Sequence, residues 1–211
     1  RYQDWLAPLG VPIRVDTDVN GAALGEWLAG AGQGCHSVAY TTVGTGIGTG
    51  VVSGGHPLAG FTHFESGHIR VPHDRALDPY AGCCPYHGDC LEGLASGPAI
   101  AARYGTPFEE LPDQAPAVAL IAGYLADLAA NLVLLHAPER LIFGGGAMKA
   151  PGMLEALRQA TEQRLAGYVA GPAGEPGLTN YVVTPALGDL AGITGAVELG
   201  RLSVAQPATP A

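Results

Sequence analysis

Two hydrophobic periods alternate along this chain, and most of its elements follow from them. Val118, Ile121, Leu125, Leu128, Leu132 and Leu135 recur three or four residues apart, the repeat of one helical face, so one long helix is expected over 115–136, with Pro138 stopping it. Ser37 to Val43 and Ile47 to Ser53 alternate instead and are rich in β-branched residues; the glycines between them predict a hairpin with a bare backbone. Arg140 to Phe143 is a short apolar run entering Gly144–Gly146, which reads as a buried strand. Weaker signals give strands at Val11–Val15 and Tyr181–Thr184 and helices over 151–169 and 191–203, before an Ala/Pro tail expected to be loose. Leu91 to Tyr104 should be helical, with Pro98 either kinking the helix or marking its true start. After Asp16-Thr-Asp-Val-Asn20 the composition turns helical; Asp18 or Asn20 is placed to cap that helix and Gly32–Gly34 to end it. Strands alternating with helices define an α/β fold. Phe61 to Cys90 obeys neither period and holds four histidines, so something other than a core is expected to hold it.

Composition narrows the function classes. Apolar residues make up 47% of the 211 and charged residues 14%, enough for a large core and too apolar for general disorder. The net charge of −9 argues against a nucleic-acid partner, which needs clustered Lys and Arg. No run of eighteen apolar residues predicts a membrane span. The chain opens at Arg1 rather than Met, so a preceding segment is expected. The 32 glycines cluster at 44–50 and 144–146, as close turns around a ligand do. Three of the four cysteines, Cys83, Cys84 and Cys90, lie within eight residues of one another beside His87. That spacing suits metal ligation better than a disulfide framework and predicts a reducing, cytoplasmic setting.

The sharpest constellation is His68 with Cys84-Pro-Tyr-His87-Gly-Asp-Cys90. Zinc takes four N or S ligands tetrahedrally; one loop can present Cys84, His87 and Cys90, and His68 would close a structural site. Cys83 could replace Cys84 through a small backbone shift, although the regular spacing favours Cys84. In Thr42-Val-Gly-Thr45-Gly46-Ile-Gly48, bare N–H groups can approach an anion and Thr45 adds a hydroxyl, but a purely structural hairpin reads the same way. Asp18 stands at a strand-to-helix junction, where an ionised carboxylate could accept the proton of an attacking substrate hydroxyl; the bland alternative is a simple N-cap. Glu65 and Glu92 flank the metal ligands and would be held rigidly by a zinc loop, as acceptors for sugar hydroxyls or as ordinary surface acids. Gly144–Gly146 could let a flat ring lie on the backbone, or merely turn the chain. His36, His56, His63, His73 and His136 read as ordinary histidines and Cys35 as a small buried hydrophobe.

Taken in order, Asp16-Thr-Asp-Val-Asn-Gly-Ala-Ala-Leu-Gly-Glu26, Thr42-Val-Gly-Thr-Gly-Ile-Gly48, Glu65-Ser-Gly-His68, the segment 84–100, Leu141-Ile-Phe-Gly-Gly-Gly146 and Ala191-Gly-Ile-Thr-Gly195 resemble the ROK family of sugar kinases and repressors. The likeness is strongest to its zinc-containing bacterial fructokinase branch and runs from about Val15 to Leu199. It implies an actin-like (ribonuclease H-like) two-lobed kinase fold that phosphorylates a hexose, fructose to fructose 6-phosphate, with ATP, Mg²⁺ and a structural Zn²⁺. By resemblance Asp18 is the general base, Thr17, Glu65, His68 and Glu92 hold the sugar, Thr45 and Gly46 meet the phosphates, Gly145 and Gly146 the adenosine, and His68, Cys84, His87 and Cys90 the zinc. It also implies a homodimer with no membrane partner, in which the zinc loop could itself build the subunit contact. The expected lobes are 1–36, a remnant of the small N-terminal one with a helix near 191–204 packed back on it, and 37–190, the large one with the zinc loop at 61–92. Two features depart from the family pattern: Phe64 stands where Pro is usual, and the phosphate loop Asp-x-Gly-Gly-Thr is missing, so an inactive fragment lacking most of the N-terminal lobe is expected. A glucokinase or mannokinase, or a sugar-sensing repressor of the same body, are the alternatives.

Overall fold

A computed structural model describes residues 5–205. The expected hairpin is β1, Ser37–Val43, and β2, Ile47–Ser53, paired antiparallel with Ser37 opposite Ser53 and Val43 opposite Ile47. A short β3, His56–Pro57, extends it on one side. On the other, β4, Arg140–Gly144, lies parallel to β1 with Thr42 opposite Gly144, and β5, Val182–Val183, lies parallel to β4, giving the order β3-β2-β1-β4-β5. A parallel neighbour requires a long crossover, and the chain between β3 and β4 supplies one that contains the irregular loop and the long helix.

Among the described residues six helices cover the sheet: α1, Asp18–Ala29; α2, Leu91–Ala95; α3, Gly97–Tyr104; α4, Ala115–His136; α5, Met153–Leu165; and α6, Ala191–Ala205. Strand alternation divides the core in two. Ala39, Val43, Leu141 and Phe143 pack with the α2, α4 and α5 side, whereas Val38, Tyr40, Val52 and Ile142 pack with α1 and α6. The molecule is therefore a helix–sheet–helix sandwich, as parallel pairing with both faces buried demands. Helix α4 has the bounds its periodicity predicts. By length and mean hydropathy (2.0) it could cross a membrane, but 61% of the apolar window is buried and Asp127 within it pairs with Arg164 on α5, which marks a core helix. The predicted stripe is interrupted at its end, where Leu135 is exposed.

Helices α1 and α6 cross at backbone contact. A Cβ on Gly195 would stand 1.7 Å from the Gly21 carbonyl oxygen, and one on Gly25 would stand 2.2 Å from that of Ala191. No other residue fits there, and this approach sets where the first turn of α1 meets the sheet.

Several local expectations are corrected. Val11–Val15 is not a strand: among the described residues nothing pairs with it, and Val11 and Val15 are exposed. Thr17 rather than Asp18 or Asn20 caps α1, its hydroxyl accepting from Asn20 N at 3.2 Å, because the helix starts one residue earlier than a cap at Asp18 requires. The same helix ends at Ala29 with Gly30 following, before Gly32–Gly34. Leu91–Tyr104 is two helices; Ser96 caps the second and Pro98 sits in its first turn, where a missing N–H costs nothing. Helix α5 and strand β5 are each shorter than expected by a few residues, β4 runs one residue further to Gly144, and α6 runs on to Ala205. The Ala/Pro tail lies outside the described residues.

Candidate active site and metal centre

The irregular loop is drawn together by the four residues that the ligand spacing singled out. Metal-binding atoms of His68, Cys84, His87 and Cys90 all lie within 4.8 Å of one another. His68 Nδ1 stands 3.6 Å from Cys84 Sγ and 3.5 Å from Cys90 Sγ, and His87 Nδ1 stands 3.7 Å from Cys84 Sγ. Sulfur at about 2.3 Å and nitrogen at about 2.05 Å from a tetrahedral centre are about 3.6 Å apart, so these spacings are the edges of a four-coordinate site. The loop makes them locally: Cys84 N–H donates to the Gly88 carbonyl at 3.1 Å and Gly88 N–H back to that of Cys84 at 2.9 Å, a tight turn that points Cys84 and His87 the same way. Cys83 is exposed and its thiol contacts Tyr80 instead.

The two thiols differ. Burial pushes Cys84 up, but the backbone N–H groups of His87 and Tyr86, with the Cys90 and His87 side chains, outweigh it and bring the thiol down to about 6. Cys90 is pushed up, chiefly by burial and then by its sulfur neighbour. One ligand is thus a thiolate at neutral pH and the other a thiol that must give up a proton to a metal.

Asp89, between two of the ligands, fastens the loop from behind. Its carboxylate accepts from Arg70 at 2.9 Å, Arg75 at 2.9 Å and His73 Nδ1 at 3.2 Å, and the His73 contact above all, with Arg75, holds it below the usual carboxylate range. His73 Nε2 reaches the Asp78 carbonyl oxygen at 2.9 Å, so both ring nitrogens of this buried imidazole face acceptors. Asp78 in turn takes Arg103 at 2.9 and 3.1 Å and the Tyr124 hydroxyl at 2.7 Å. Burial alone would raise Asp78, yet Arg103 and Tyr124 hold it down. The chain of contacts runs from the metal ligands to α3 and α4. Sequence patterning missed it: His73 passed for an ordinary histidine, and Asp89 carried no signal beyond its place between ligands.

The metal cluster is tied to the glycine hairpin through Glu92. His68 Nε2, on the ring edge away from the thiols, faces Glu92 Oε1 at 3.8 Å, while Glu92 Oε2 accepts from Ile47 N at 2.9 Å. Gly67 lies so close beneath Ile47 that a Cβ would stand 2.0 Å from its carbonyl oxygen, and Gly97 N–H donates to the Gly44 carbonyl at 2.8 Å. The hairpin tip is therefore clamped between the loop and the start of α3. Glu65 points elsewhere, exposed and bound to His63 at 2.7 Å.

A cavity of about 480 Å³ opens on the α1–α6 side of the sheet, at the C-terminal ends of the parallel pair β1 and β4. Asp18, Tyr40, Thr42, Gly144–Gly146, Lys149 and Asp189 are among its lining residues. Parallel α/β sheets bind ligands at that edge. Gly145 shapes the wall: its φ of +95° and a Cβ position 2.4 Å from the Val43 carbonyl oxygen admit only glycine. Because Thr17 supplies the cap, Asp18 is released from that duty. One of its oxygens accepts from Val19 N at 2.8 Å and no other bond to it occurs among the described residues. Burial, with Glu26, Asp18 and Asp189, pushes the Tyr40 phenol up, so the wall presents an O–H donor.

Of the candidate residues, the structure gathers Asp18, Gly145 and Gly146 around this cavity, and His68, Glu92 and Gly46 around the metal cluster. Thr17 is the helix cap, Thr45 is exposed at the hairpin tip, and neither lines the cavity; Thr42 does. Sequence reasoning missed Thr42, Lys149 and Asp189, which only the meeting of three separate segments brings together.

An α/β sandwich with a ligand cavity at the switch of its strands and a thiol–imidazole cluster on an adjacent loop defines the class of protein. The chain belongs to the ROK family, which it matches over residues 4–201. It is 46% identical over 195 residues to a fructokinase of Zymomonas mobilis, a match covering 90% of this chain and 62% of that protein's length. Its fold matches a ROK hexokinase from Thermus thermophilus (TM-score 0.79, 32% identity, 95% of this chain and 68% of that one). It also matches a ROK family glucokinase from Streptomyces griseus in complex with glucose and AMPPNP (TM-score 0.68, 28% identity, 93% and 70%). The fold is accordingly that of the actin-like ROK kinases.

Proposed function

We propose that this chain forms most of the body of an ATP-dependent hexose kinase whose sugar is fructose. The observation that carries the reading is Asp18, freed from capping by Thr17, at the edge of a cavity of about 480 Å³ walled by the Gly144–Gly146 turn. The similarity to a protein named a fructokinase supports the sugar, and that to a glucokinase holding glucose and AMPPNP supports the pair of ligands.

In this reading Asp18 accepts the proton of the attacking sugar hydroxyl as phosphorus–oxygen bonding begins. Gly145 and Gly146 pass close under the adenosine. Thr45 and Gly46 offer a hydroxyl and a bare N–H to the phosphates. His68 and Glu92 hold the sugar, whose hydroxyl would bridge the 3.8 Å between His68 Nε2 and Glu92, while Glu65, bound to His63, and Thr17, the cap of α1, would have to turn toward it to join them. The donor set of His68, Cys84, His87 and Cys90 suits Zn²⁺, which would stiffen the loop that bears these groups. Mg²⁺ carried with the nucleotide would neutralise phosphate charge. The rest of catalysis is alignment, for phosphoryl transfer asks little covalent help of a protein. On the same reading the lobe boundary falls near residue 36, with α6 packed against α1, the protein is a homodimer, and its free thiols suit a reducing cytoplasm.

The test is a hexose panel with coupled ADP detection on the protein expressed from its complete gene, beside Asp18→Asn. Fructose should give the highest kcat/KM, and the variant should lose about 10³-fold in kcat while hexose affinity stays within about threefold, since only the proton acceptor is removed. Undiminished turnover by Asp18→Asn would overturn the assignment.

A further inference from the structure

Glu26 is fully buried, at the C-terminal end of α1, and among the described residues no cation pairs with it. Its carboxylate is satisfied by three backbone N–H groups, one from the turn just after α1 and two from a distant stretch. Oε2 accepts from Ala31 N at 2.7 Å and from Ala186 N at 3.0 Å, and Oε1 accepts from Leu187 N at 2.8 Å. Gly30 makes room for it: a Cβ there would stand 2.1 Å from Glu26 Oε2. Ala186 and Leu187 lie in the connection from β5 to α6, which starts at Thr184. That connection is otherwise irregular up to a short turn at Gly188–Leu190, and it carries Thr184, Pro185, Gly188 and Asp189 into the wall of the cavity.

Burying a carboxylate is costly unless its oxygens are hydrogen-bonded, and bonds to an ionised acceptor are about twice as strong as neutral ones. A hydrophobic residue would fill the same space without that cost, but would leave the Ala31, Ala186 and Leu187 N–H groups without their acceptor. What the carboxylate adds is direction. Its two oxygens fix two successive amides of the connection, and so fix the plane of the chain where it enters the cavity.

We propose that Glu26 is a positioning residue for the nucleotide: from behind the wall it holds the 184–189 segment in the shape that receives the base and ribose. This rests on reading the cavity as the nucleotide site. Glu26 touches no substrate and acts only through the amides of Ala186 and Leu187. Replacing it should therefore weaken nucleotide binding selectively, without moving hexose affinity or the proton transfer assigned to Asp18.

The experiment compares wild type with Glu26→Gln, which keeps the shape but turns one NH₂ toward a backbone N–H. Binding of AMPPNP and of fructose is measured by calorimetry, and amide hydrogen exchange is followed over 184–190. In free wild-type protein the Ala186 and Leu187 amides should already be as protected as those of β5, a result that does not depend on the variant folding. Glu26→Gln should expose those amides and raise the AMPPNP Kd about tenfold, the usual effect of losing a hydrogen bond to a charged group, while the fructose Kd stays within about twofold. Free exchange of both amides in wild type, or unchanged AMPPNP affinity in a folded Glu26→Gln, overturns the proposal. Wild-type protein that binds fructose but no AMPPNP overturns the nucleotide reading of the cavity, and the proposal with it. Equal loss of both ligands would mark Glu26 as merely structural and overturn it as well.

Discussion

At the scale of single residues, side chains are placed by what their neighbours leave free. Asp18 is available to a ligand because the Thr17 hydroxyl fills the capping role one residue earlier. The sequence cannot choose between Thr17, Asp18 and Asn20, since all three are capping types and the decision depends on where the helix starts. The metal ligands were legible because two-residue gaps on a loop constrain geometry whatever the tertiary structure. Glu26 was not legible, as a Glu ending an amphipathic helix usually faces water and two of its three partners come from a distant segment. A residue-scale consequence concerns Gly195. Its substitution by Ala must push α1 and α6 apart, because the new methyl would overlap the Gly21 carbonyl oxygen, 1.7 Å away. Overpacking of this kind should cost about 3 kcal/mol and lower Tm by roughly 6–12 °C in thermal unfolding. A Tm within about 1 °C of wild type would show that the crossing is looser than described.

Among the elements, periodicity fixed those whose neighbours supply only apolar packing. Helix α4 and the β1–β2 hairpin have the bounds their patterns predict. Val11–Val15 has strand composition and forms none, since a strand needs a partner as well as a propensity. Apart from its four metal-binding residues the loop at 61–90 was legible only as a negative, and its polar framework could not be read from spacing. Within that framework Asp78 faces Arg103 and Tyr124, and Asp78→Asn would leave Arg103 buried without its counter-charge. Such a loss should cost about 3–5 kcal/mol in denaturant unfolding at neutral pH. The sign of the pH dependence follows from the lowered carboxyl. Its stabilisation is present above the ordinary carboxylate pKa of about 4 and is lost as pH falls below that through the folded value, so the gap between wild type and variant should close on acidification. A constant gap down to about pH 2 would contradict the ion pair.

At the scale of the molecule, folding brings together what the sequence holds far apart: the first turn of α1, the ends of β1 and β4 and the start of α6 enclose one cavity, and the metal loop clamps the hairpin beside it. Fold class and family were therefore open to sequence reading, whereas the cavity's full lining was not. Metal binding at the clamp should be linked to protons across the accessible pH range. With Cys84 near 6 and Cys90 higher, loading at pH 7 should release one thiol proton, and loading below 6 should release two, imidazoles aside. Calorimetry in buffers of different ionisation enthalpy counts them. No change in proton release across pH 6 would contradict the assignment of Cys84 as the ready thiolate. Cys84→Ser should abolish high-affinity metal binding, and Cys83→Ser should leave it within about twofold, because Cys83 faces Tyr80.

The clamp itself is tested most directly by metal analysis joined to zinc K-edge absorption on the purified protein. The account predicts one zinc per chain, with two sulfur neighbours at about 2.3 Å and two nitrogen neighbours at about 2.0–2.1 Å. Protein that neither carries zinc nor takes it up, or a first shell of oxygen with no sulfur, would contradict it.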